Sequence, residues 1–228
     1  MTLTISTLGT SVLSRQAERA VVTLDVSGSG RTQSNVSQEV NSTSNRLQSI
    51  LQALAPKIGS GETDPDAASD TAVTHWSMSS LSTGSHIPWG RQKEEEGKCV
   101  YTARTSFEIT FRDFSKLGQV VSDMAYLPHV SIRNITWRLT DTTKGQLGQL
   151  SRKEAVKDAI AKARDYADVL EKKHIRAVEV NDVDLGGSPG STGALTLFGS
   201  STQQNESLHF TPKSCEVQCS VKVQFEAE

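Results

Sequence analysis

The feature that most constrains the fold is a long stretch of alternating side chains over residues 99–112. Its odd positions carry mostly apolar side chains, among them Tyr101, Phe107, Ile109 and Phe111, and its even positions are mostly polar or charged. A period of two residues is typical of a β-strand with one buried and one solvated face. Residues 215–225 alternate in the same way. The two stretches predict a sheet that buries one of its faces.

Three other stretches repeat apolar side chains at steps of three and four residues, which is the spacing of one helix face. They predict helices over residues 33–54, 113–125 and 151–174. The last helix opens with Ser151 and Glu154, which have the spacing of a capping box. Small side chains dominate its predicted inner face and let a helix lie close to a sheet. The predicted inner residues are Ala155, Ala159, Ile160, Ala163, Tyr166, Ala167 and Leu170.

The order of the predicted elements indicates an α+β fold. Strands are predicted over residues 20–28, 71–82, 99–112, 129–139, 175–185 and 215–225. With the helices they give the order β-α-β-β-α-β-α-β-β, an antiparallel-rich sheet with three helices. The first six elements have the βαββαβ order of a split-βαβ sandwich.

Polar and Gly-rich stretches predict where the chain leaves its regular elements. Residues 1–17 have a few apolar side chains but no continuous apolar run, and they are predicted to be a mobile N-terminal tail. Long loops are predicted at 57–70, 83–98 and 186–213, where Gly, Pro, Ser and acidic residues occur without a period. Residues 18–228 are therefore predicted to form a single domain.

Charge and hydropathy exclude several classes of partner. The formal net charge is −2, which offers no strong field for nucleic acid. No apolar run approaches the roughly 20 residues of a membrane span. The first residues lack the basic and apolar regions of a signal peptide, and three cysteines are too sparse a set for a disulfide scaffold. These observations predict a cytoplasmic protein.

No arrangement of residues in the sequence matches a catalytic, cofactor-binding or metal site. Cys215 and Cys219 would lie on one strand face about 13 Å apart, at roughly 3.3 Å per residue, which is too far for a shared metal ion or a disulfide. Gly28 and Gly30 are followed by Gln33 where a dinucleotide fingerprint needs a third glycine. The five histidines include no HExxH pair. The sequence therefore predicts no enzyme activity, no cofactor and no bound metal.

One aromatic residue stands apart from the predicted elements. Trp89 lies near His86 in the polar connection 83–98. An aromatic side chain on a polar loop can anchor a protein partner, because it buries a large area in one contact. We therefore take His86 and Trp89 as the candidate partner contact. The alternative is a loop that folds back on the sheet.

Three stretches, in this order and spacing, resemble the SIMPL-domain family. This family includes bacterial periplasmic and outer-membrane-associated immunogenic proteins and an animal protein that binds an interleukin-receptor-associated kinase. The Ala-rich stretch over residues 154–170 is the most specific of the three. The resemblance extends over about residues 18–225. The stretches are residues 21–30 leading into the helix that ends at 47–51, residues 101–111 followed by Leu117 and Val120, and residues 154–170.

The resemblance implies a role in protein–protein contact or self-assembly, since bacterial members assemble into oligomers. It supplies no catalytic residue to transfer. Two departures limit what it implies. The family helix usually ends in glycine, whereas this one ends in Glu171, Lys172, Lys173 and His174. Bacterial members also carry export signals, so their periplasmic roles are not transferred.

The sequence thus predicts a non-enzymatic SIMPL-type protein that contacts a protein partner or forms a homo-oligomer. Two rival functions stay open. One is a small-ligand or lipid-binding module, with a groove under the loop at 186–212. The other is a hydrolase built from loop Ser and His residues. A signalling adaptor role follows from analogy with the animal member alone.

Overall fold

The computed structural model describes residues 3–55, 71–87, 99–183 and 210–228. The nine predicted elements occur in the predicted order, and the predicted α+β fold is confirmed. Two further strands, β1 and β4, were not predicted. The elements are β1 (Leu3–Gln16), β2 (Arg19–Gly30), α1 (Gln33–Leu54), β3 (Val73–Met78), β4 (Ser82–His86), β5 (Val100–Phe111), α2 (Phe114–Ala125), β6 (Val130–Arg138), α3 (Asp141–Val169), β7 (Ile175–Asp182) and β8 (Ser214–Ala227).

The chain divides into two compact units, where the sequence predicted a single domain. Residues 19–137, with 210–212, form the unit that we call the split-βαβ unit. Residues 3–18, 138–183 and 213–228 form the terminal unit. The terminal unit pairs a strand near one end of the chain with a strand near the other end. Local periodicity cannot predict pairing between segments so far apart in the sequence, so the sequence did not predict this unit.

The split-βαβ unit contains a sheet with the strand order β3-β5-β2-β6, and β4 also pairs with β5. β2 and β5 are antiparallel along their length, from Ala20 opposite Phe111 to Gly30 opposite Tyr101. This order is the one expected for the βαββαβ topology that the sequence predicted. The alternation seen at residues 99–112 is therefore that of an interior strand.

Helix α1 packs on β2 and β5 and buries the apolar face of the sheet. Leu24, Leu47, Phe107 and Ile109 are almost completely buried there. Asp113 is the N-cap of helix α2, and its side chain accepts hydrogen bonds from the backbone amides of the first turn. The side of the sheet that carries the polar residues of β2 and β5 is left for other contacts.

The predicted loop at 83–98 is wrong at its start, because residues 83–86 belong to β4. All five residues of β4 are polar or glycine and exposed. This segment is a strand because its backbone pairs with β5. Its sequence has no hydrophobic pattern from which a strand could be predicted. The predicted loop at 57–70 and most of the one at 186–213 lie outside the described residues.

The terminal unit contains an antiparallel sheet with the order β1-β8-β7, covered on one face by α3. The predicted mobile tail at residues 1–17 is wrong, since residues 3–16 form β1 and pair with β8 along all 14 positions. β1 was missed because Thr7 and Gly9 occupy two of its three most buried positions, so its apolar alternation is weak. Ile5 is the third.

Helix α3 begins earlier than predicted, at Asp141 instead of Ser151. Thr140 is the N-cap, and its Oγ1 accepts a hydrogen bond from the Thr143 amide at 3.3 Å. Ser151 lies inside the helix and is completely buried, so the predicted capping box does not form.

No helix in the described ranges is long and apolar enough to cross a membrane.

The predicted inner face of α3 is correct for its alanines and for the partly buried Ile160, which packs against the same core, and wrong for Tyr166 and Leu170. Tyr166 and Leu170 are 55% and 53% exposed. The helix lies so close to β1 that only small side chains fit between the helix and the sheet. The buried residues of α3 occur at every fourth position and are Thr143, Leu147, Ser151, Ala155, Ala159, Ala163 and Ala167.

Candidate functional site

The outer edge of β1 is the longest edge in the terminal unit that no described strand pairs with. An unpaired edge presents N–H and C=O groups that can pair with another chain. Natural edge strands are usually protected by lysine, proline or a bulge. β1 contains no lysine or proline, its pairing with β8 has no register shift, and Arg15 is its one charged residue. This edge is therefore a candidate surface for strand pairing.

Two side chains of α3 reach the middle of this edge. Lys162 Nζ donates a hydrogen bond to the Leu8 carbonyl at 2.9 Å, and the Thr10 amide donates to Asp158 Oδ2 at 2.8 Å. Lys162 also donates to Asp158 Oδ2 at 2.7 Å. The hydrogen bond from Lys162, and after it the one from Thr10, lowers the pKa of Asp158. We call this arrangement the Asp158–Lys162 clamp.

The clamp indicates which backbone groups of β1 point outward. In an antiparallel strand, successive residues direct their N–H and C=O groups to opposite sides. The groups of Leu8 and Thr10 point away from β8, because they bind α3 side chains. The outward groups therefore belong to the even-numbered residues of β1. These residues are Thr4, Ser6, Leu8, Thr10, Val12, Ser14 and Gln16.

Apolar side chains accompany this edge. Leu8 and Val12 are 46% and 56% exposed. They alternate with Ser and Thr on the face of β1 that points away from α3. A strand that pairs with β1 could cover both side chains, which adds a hydrophobic contribution to the backbone hydrogen bonds.

A second candidate lies on the polar face of the split-βαβ unit. Asp25 of β2 lies between the arginines of two neighbouring strands, Arg104 of β5 and Arg133 of β6. Arg133 donates to Asp25 Oδ2 through Nε at 2.9 Å and Nη2 at 2.6 Å. Arg104 donates to the same oxygen through Nη2. Two cations thus share one carboxylate oxygen, and the cluster carries an excess positive charge.

The strand register explains why these side chains meet. Asp25 lies opposite Ser106, and Ser27 lies opposite Arg104, so Arg104 is a diagonal neighbour of Asp25 on the same face. The Asp25 side chain is 10% exposed, whereas those of Arg104 and Arg133 are 51% and 54% exposed. The carboxylate is therefore buried beneath two guanidinium groups that still face the solvent.

A row of serines adjoins this cluster and forms a concave surface of about 340 Å³ with it. Ser79 fixes this row to β5, because its Oγ accepts hydrogen bonds from the Ser106 amide at 2.9 Å and the Ser106 hydroxyl at 3.0 Å. Ser80 and Ser82 continue the row. The concavity thus combines half-exposed cations with hydroxyl groups, a set suited to hydrogen bonding with an anion.

Of the two residues that the sequence singled out, His86 is not part of either surface. His86 is the last residue of β4 and is exposed, so it lies on a strand and not in a loop. Trp89 lies outside the described residues. The contact that His86 and Trp89 were predicted to make with a partner therefore stays a prediction.

The three cysteines are free thiols. Cys215 and Cys219 both lie on β8 and are half-buried. Burial, with a smaller effect of the Glu18 carboxylate, raises the pKa of Cys215. Burial and Asp182 raise the pKa of Cys219, against an opposing effect of Arg152. Within the described ranges, no three His, Cys, Asp or Glu side chains are close enough to hold a metal ion.

Sequence reasoning missed both surfaces, and of the two only the arginine cluster leaves a partial signal. Asp25 is the one charged residue inside the apolar run 20–26, and a buried carboxylate needs partners of opposite charge. Arg104 and Arg133 occupy polar positions of other strands, where an arginine is unremarkable until the pairing is known. The edge of β1 had no signal, because its strand was not predicted.

The matched family model covers nearly the whole chain. It matches residues 5–225, and the family is SIMPL, described as a protein of unknown function (DUF541). A search of curated proteins found no match. The matched range contains the three stretches on which the resemblance was based, as well as both candidate surfaces. The chain therefore belongs to the SIMPL family.

Proposed function

We propose that this SIMPL protein is not an enzyme and acts by protein–protein contact, in the form of self-assembly through the outer edge of β1. The observation that carries the proposal is a 14-residue strand whose outer edge pairs with no described strand and lacks lysine, proline and a bulge. Unprotected edges of this length are rare in monomers, because they invite pairing with other chains.

The composition of β1 favours a second copy of β1 as the partner. A twofold contact places the same surface on both sides, so this surface must complement itself. Arg15, near the end of β1, is its one charged residue, so like charges do not face each other along most of the strand. The exposed Val12 side chain, which lies beyond the clamp, would also contact side chains of the partner, and apolar burial contributes about 25 cal/mol per Å².

The Asp158–Lys162 clamp determines where pairing begins. The clamp occupies the outward groups of Leu8 and Thr10, so a second strand cannot bind there without displacing it. The outward groups of Val12 and Ser14 lie beyond the clamp. We therefore place the start of pairing at this end of β1, from which it extends only as far as the clamp allows.

The absolute mass in solution tests the proposal. Sedimentation equilibrium of the full chain over a wide range of concentrations is expected to show an oligomer with a fixed number of subunits. Val12→Lys puts a charge on the edge, as natural edge strands do, and is expected to yield monomers. Val169→Lys is the matched control, because Val169 is also an exposed valine of the terminal unit, at the end of α3. It is expected to leave the mass unchanged.

Two outcomes would contradict self-assembly through β1. One is a wild-type chain that stays monomeric at every concentration. The other is an oligomer that Val12→Lys and Val169→Lys affect equally, which would place the interface elsewhere. Circular dichroism of both variants checks that each retains its secondary structure.

The cytoplasm is the location that we propose. All three cysteines are free thiols, which suits a reducing compartment. Fluorescence microscopy of the chain labelled at its C-terminus, beside a membrane stain, checks this proposal. Signal confined to an envelope or an organelle would refute it.

A further inference from the structure

We propose that the concavity around Arg104 and Arg133 is a binding site for a compact oxyanion, such as a phosphate or carboxylate group of a small molecule. This site is independent of self-assembly through β1. The first argument is the unequal number of charges. Two guanidinium groups meet one carboxylate, that of Asp25, so one positive charge is left uncompensated within the cluster.

The second argument concerns hydrogen-bond donors that the cluster leaves available. A guanidinium group has five N–H donors. Toward the described residues, Arg104 uses Nη2, and Arg133 uses Nε and Nη2, all for Asp25. Both arginine side chains are about half exposed, so their other N–H groups can reach a ligand. Planar donors in a fixed fork match the oxygens of carboxylates and phosphates.

The third argument is that the arginines are held in place before a ligand arrives. Asp25 lies on an interior strand and is itself nearly buried, so the salt bridges anchor both side chains to the sheet. Arginine loses little additional entropy on binding when it is already ordered. The shared carboxylate thus acts as a positioning group for two binding residues.

The fourth argument is the row of serines beside the arginines. Ser79, Ser80, Ser82 and Ser106 line the concavity, and Ser79 is held by hydrogen bonds to β5. Hydroxyl groups donate to anions without adding charge. Glu108 lies farther along the same face of β5 but does not line the concavity. The volume of about 340 Å³ suits a small ligand or one group of a larger one.

Titration of the full chain with sodium phosphate or sodium acetate, at constant ionic strength, tests this site. Nitrogen-15 NMR spectra are expected to show saturable shifts of the Arg104 and Arg133 side-chain N–H signals and of the Ser106 amide. Saturation with phosphate alone assigns a tetrahedral oxyanion, and saturation with acetate alone assigns a carboxylate. Saturation with neither anion overturns the proposal.

Three variants separate a specific site from a general effect of charge. Arg104→Gln and Arg133→Gln are each expected to weaken binding about tenfold, since each removes a charged donor fork. Arg46→Gln is the matched control, because Arg46 is exposed on α1 and does not line the concavity. It is expected to leave the affinity unchanged. Equal weakening by Arg46→Gln and the other two variants overturns the proposal.

A conservative variant keeps the test decisive if the glutamine variants do not fold. Arg104→Lys keeps the charge and one contact to Asp25 but loses the planar fork. It is expected to fold and to bind the anion several-fold more weakly than the wild type. Wild-type affinity in this folded variant would mean that the fork makes no contact with the anion, which contradicts the proposed geometry.

Discussion

Gly9 of β1 lies against the backbone of Ala155 in α3, so closely that no side chain fits between them. A Cβ atom added to Gly9 would overlap the Ala155 carbonyl oxygen and would lie 2.8 Å from the Ala159 Cβ. Two residues earlier, Thr7 Oγ1 donates a hydrogen bond to the Ala159 carbonyl at 3.1 Å. The strand and the helix are thus in backbone contact, which glycine on one side and alanine on the other allow.

We expect Gly9→Ala to lower the free energy of unfolding by about 2–3 kcal/mol, because the new methyl group overpacks the contact between β1 and α3. Gly145→Ala is the matched control in α3, since no atom lies within 4 Å of the added Cβ. It should raise the free energy of unfolding by about 1 kcal/mol through its higher helix propensity. Urea denaturation measures both changes. A Gly9→Ala chain as stable as the wild type would contradict the close contact.

The end of α3 offers a stabilising substitution. The Lys172 amide donates to the Ala167 carbonyl at 2.8 Å and the Glu171 amide donates to the Asp168 carbonyl at 3.2 Å, the two hydrogen bonds of a Schellman motif. Glu171 has a φ of 56° there, the left-handed conformation that favours glycine. Glu171 therefore occupies the position after a helix end where glycine is usually found.

We expect Glu171→Gly to raise the free energy of unfolding by about 1 kcal/mol, since it removes the strain of a Cβ in this conformation. Glu171→Ala is the control, because it removes the charge and keeps the Cβ. It should bring no comparable gain. Thermal denaturation of both variants distinguishes them, and equal stability of the two would contradict an origin in backbone strain.

Glu18 should make the stability of the protein depend on pH. Burial opposes its charge, but hydrogen bonds from the Thr140 hydroxyl and amide and the Thr143 hydroxyl outweigh it, and the pKa of Glu18 falls below its ordinary value. A carboxylate with a lowered folded-state pKa stabilises the fold above its unfolded-state pKa. This contribution is lost as the pH falls through the folded-state pKa.

We therefore expect Glu18→Gln to lose about 1–2 kcal/mol of stability at neutral pH, through its weaker hydrogen bonds at the start of α3. Between about pH 5 and pH 3 the variant should lose less stability than the wild type, because it has no carboxylate to protonate. Urea titrations at several pH values measure the difference. Parallel pH profiles would exclude Glu18 as the responsible group.

The Asp158–Lys162 clamp should limit self-assembly. Asp158→Ala removes the acceptor of the Thr10 amide and frees this outward group for a second strand. We expect the variant to associate more strongly than the wild type in sedimentation equilibrium. Asp165→Ala is a matched control on an exposed position of α3. If Asp158→Ala weakens association, the clamp is part of the interface and does not compete with it.

The hydrophobic periodicity was enough to predict most elements of this fold. Helix α1 was predicted at both ends, and the strands β2 and β5 were predicted to within about two residues. These segments pack apolar side chains on one face, so the local pattern and the tertiary burial agree. The Ala-rich part of α3 was also predicted, since alanine both favours a helix and permits close packing.

Tertiary structure alone decided the remaining features. Residues 3–16 are a strand because β8 lies beside them, and Gly9 is required because α3 crosses there. Asp25 meets Arg104 and Arg133 because three strands are adjacent in the sheet, although more than 70 residues separate Asp25 from either arginine in the sequence. Local periodicity records which face of an element is buried. It does not show which distant segments become neighbours in the fold. Both candidate surfaces depend on such neighbours, namely β8 beside β1, and β5 and β6 beside β2.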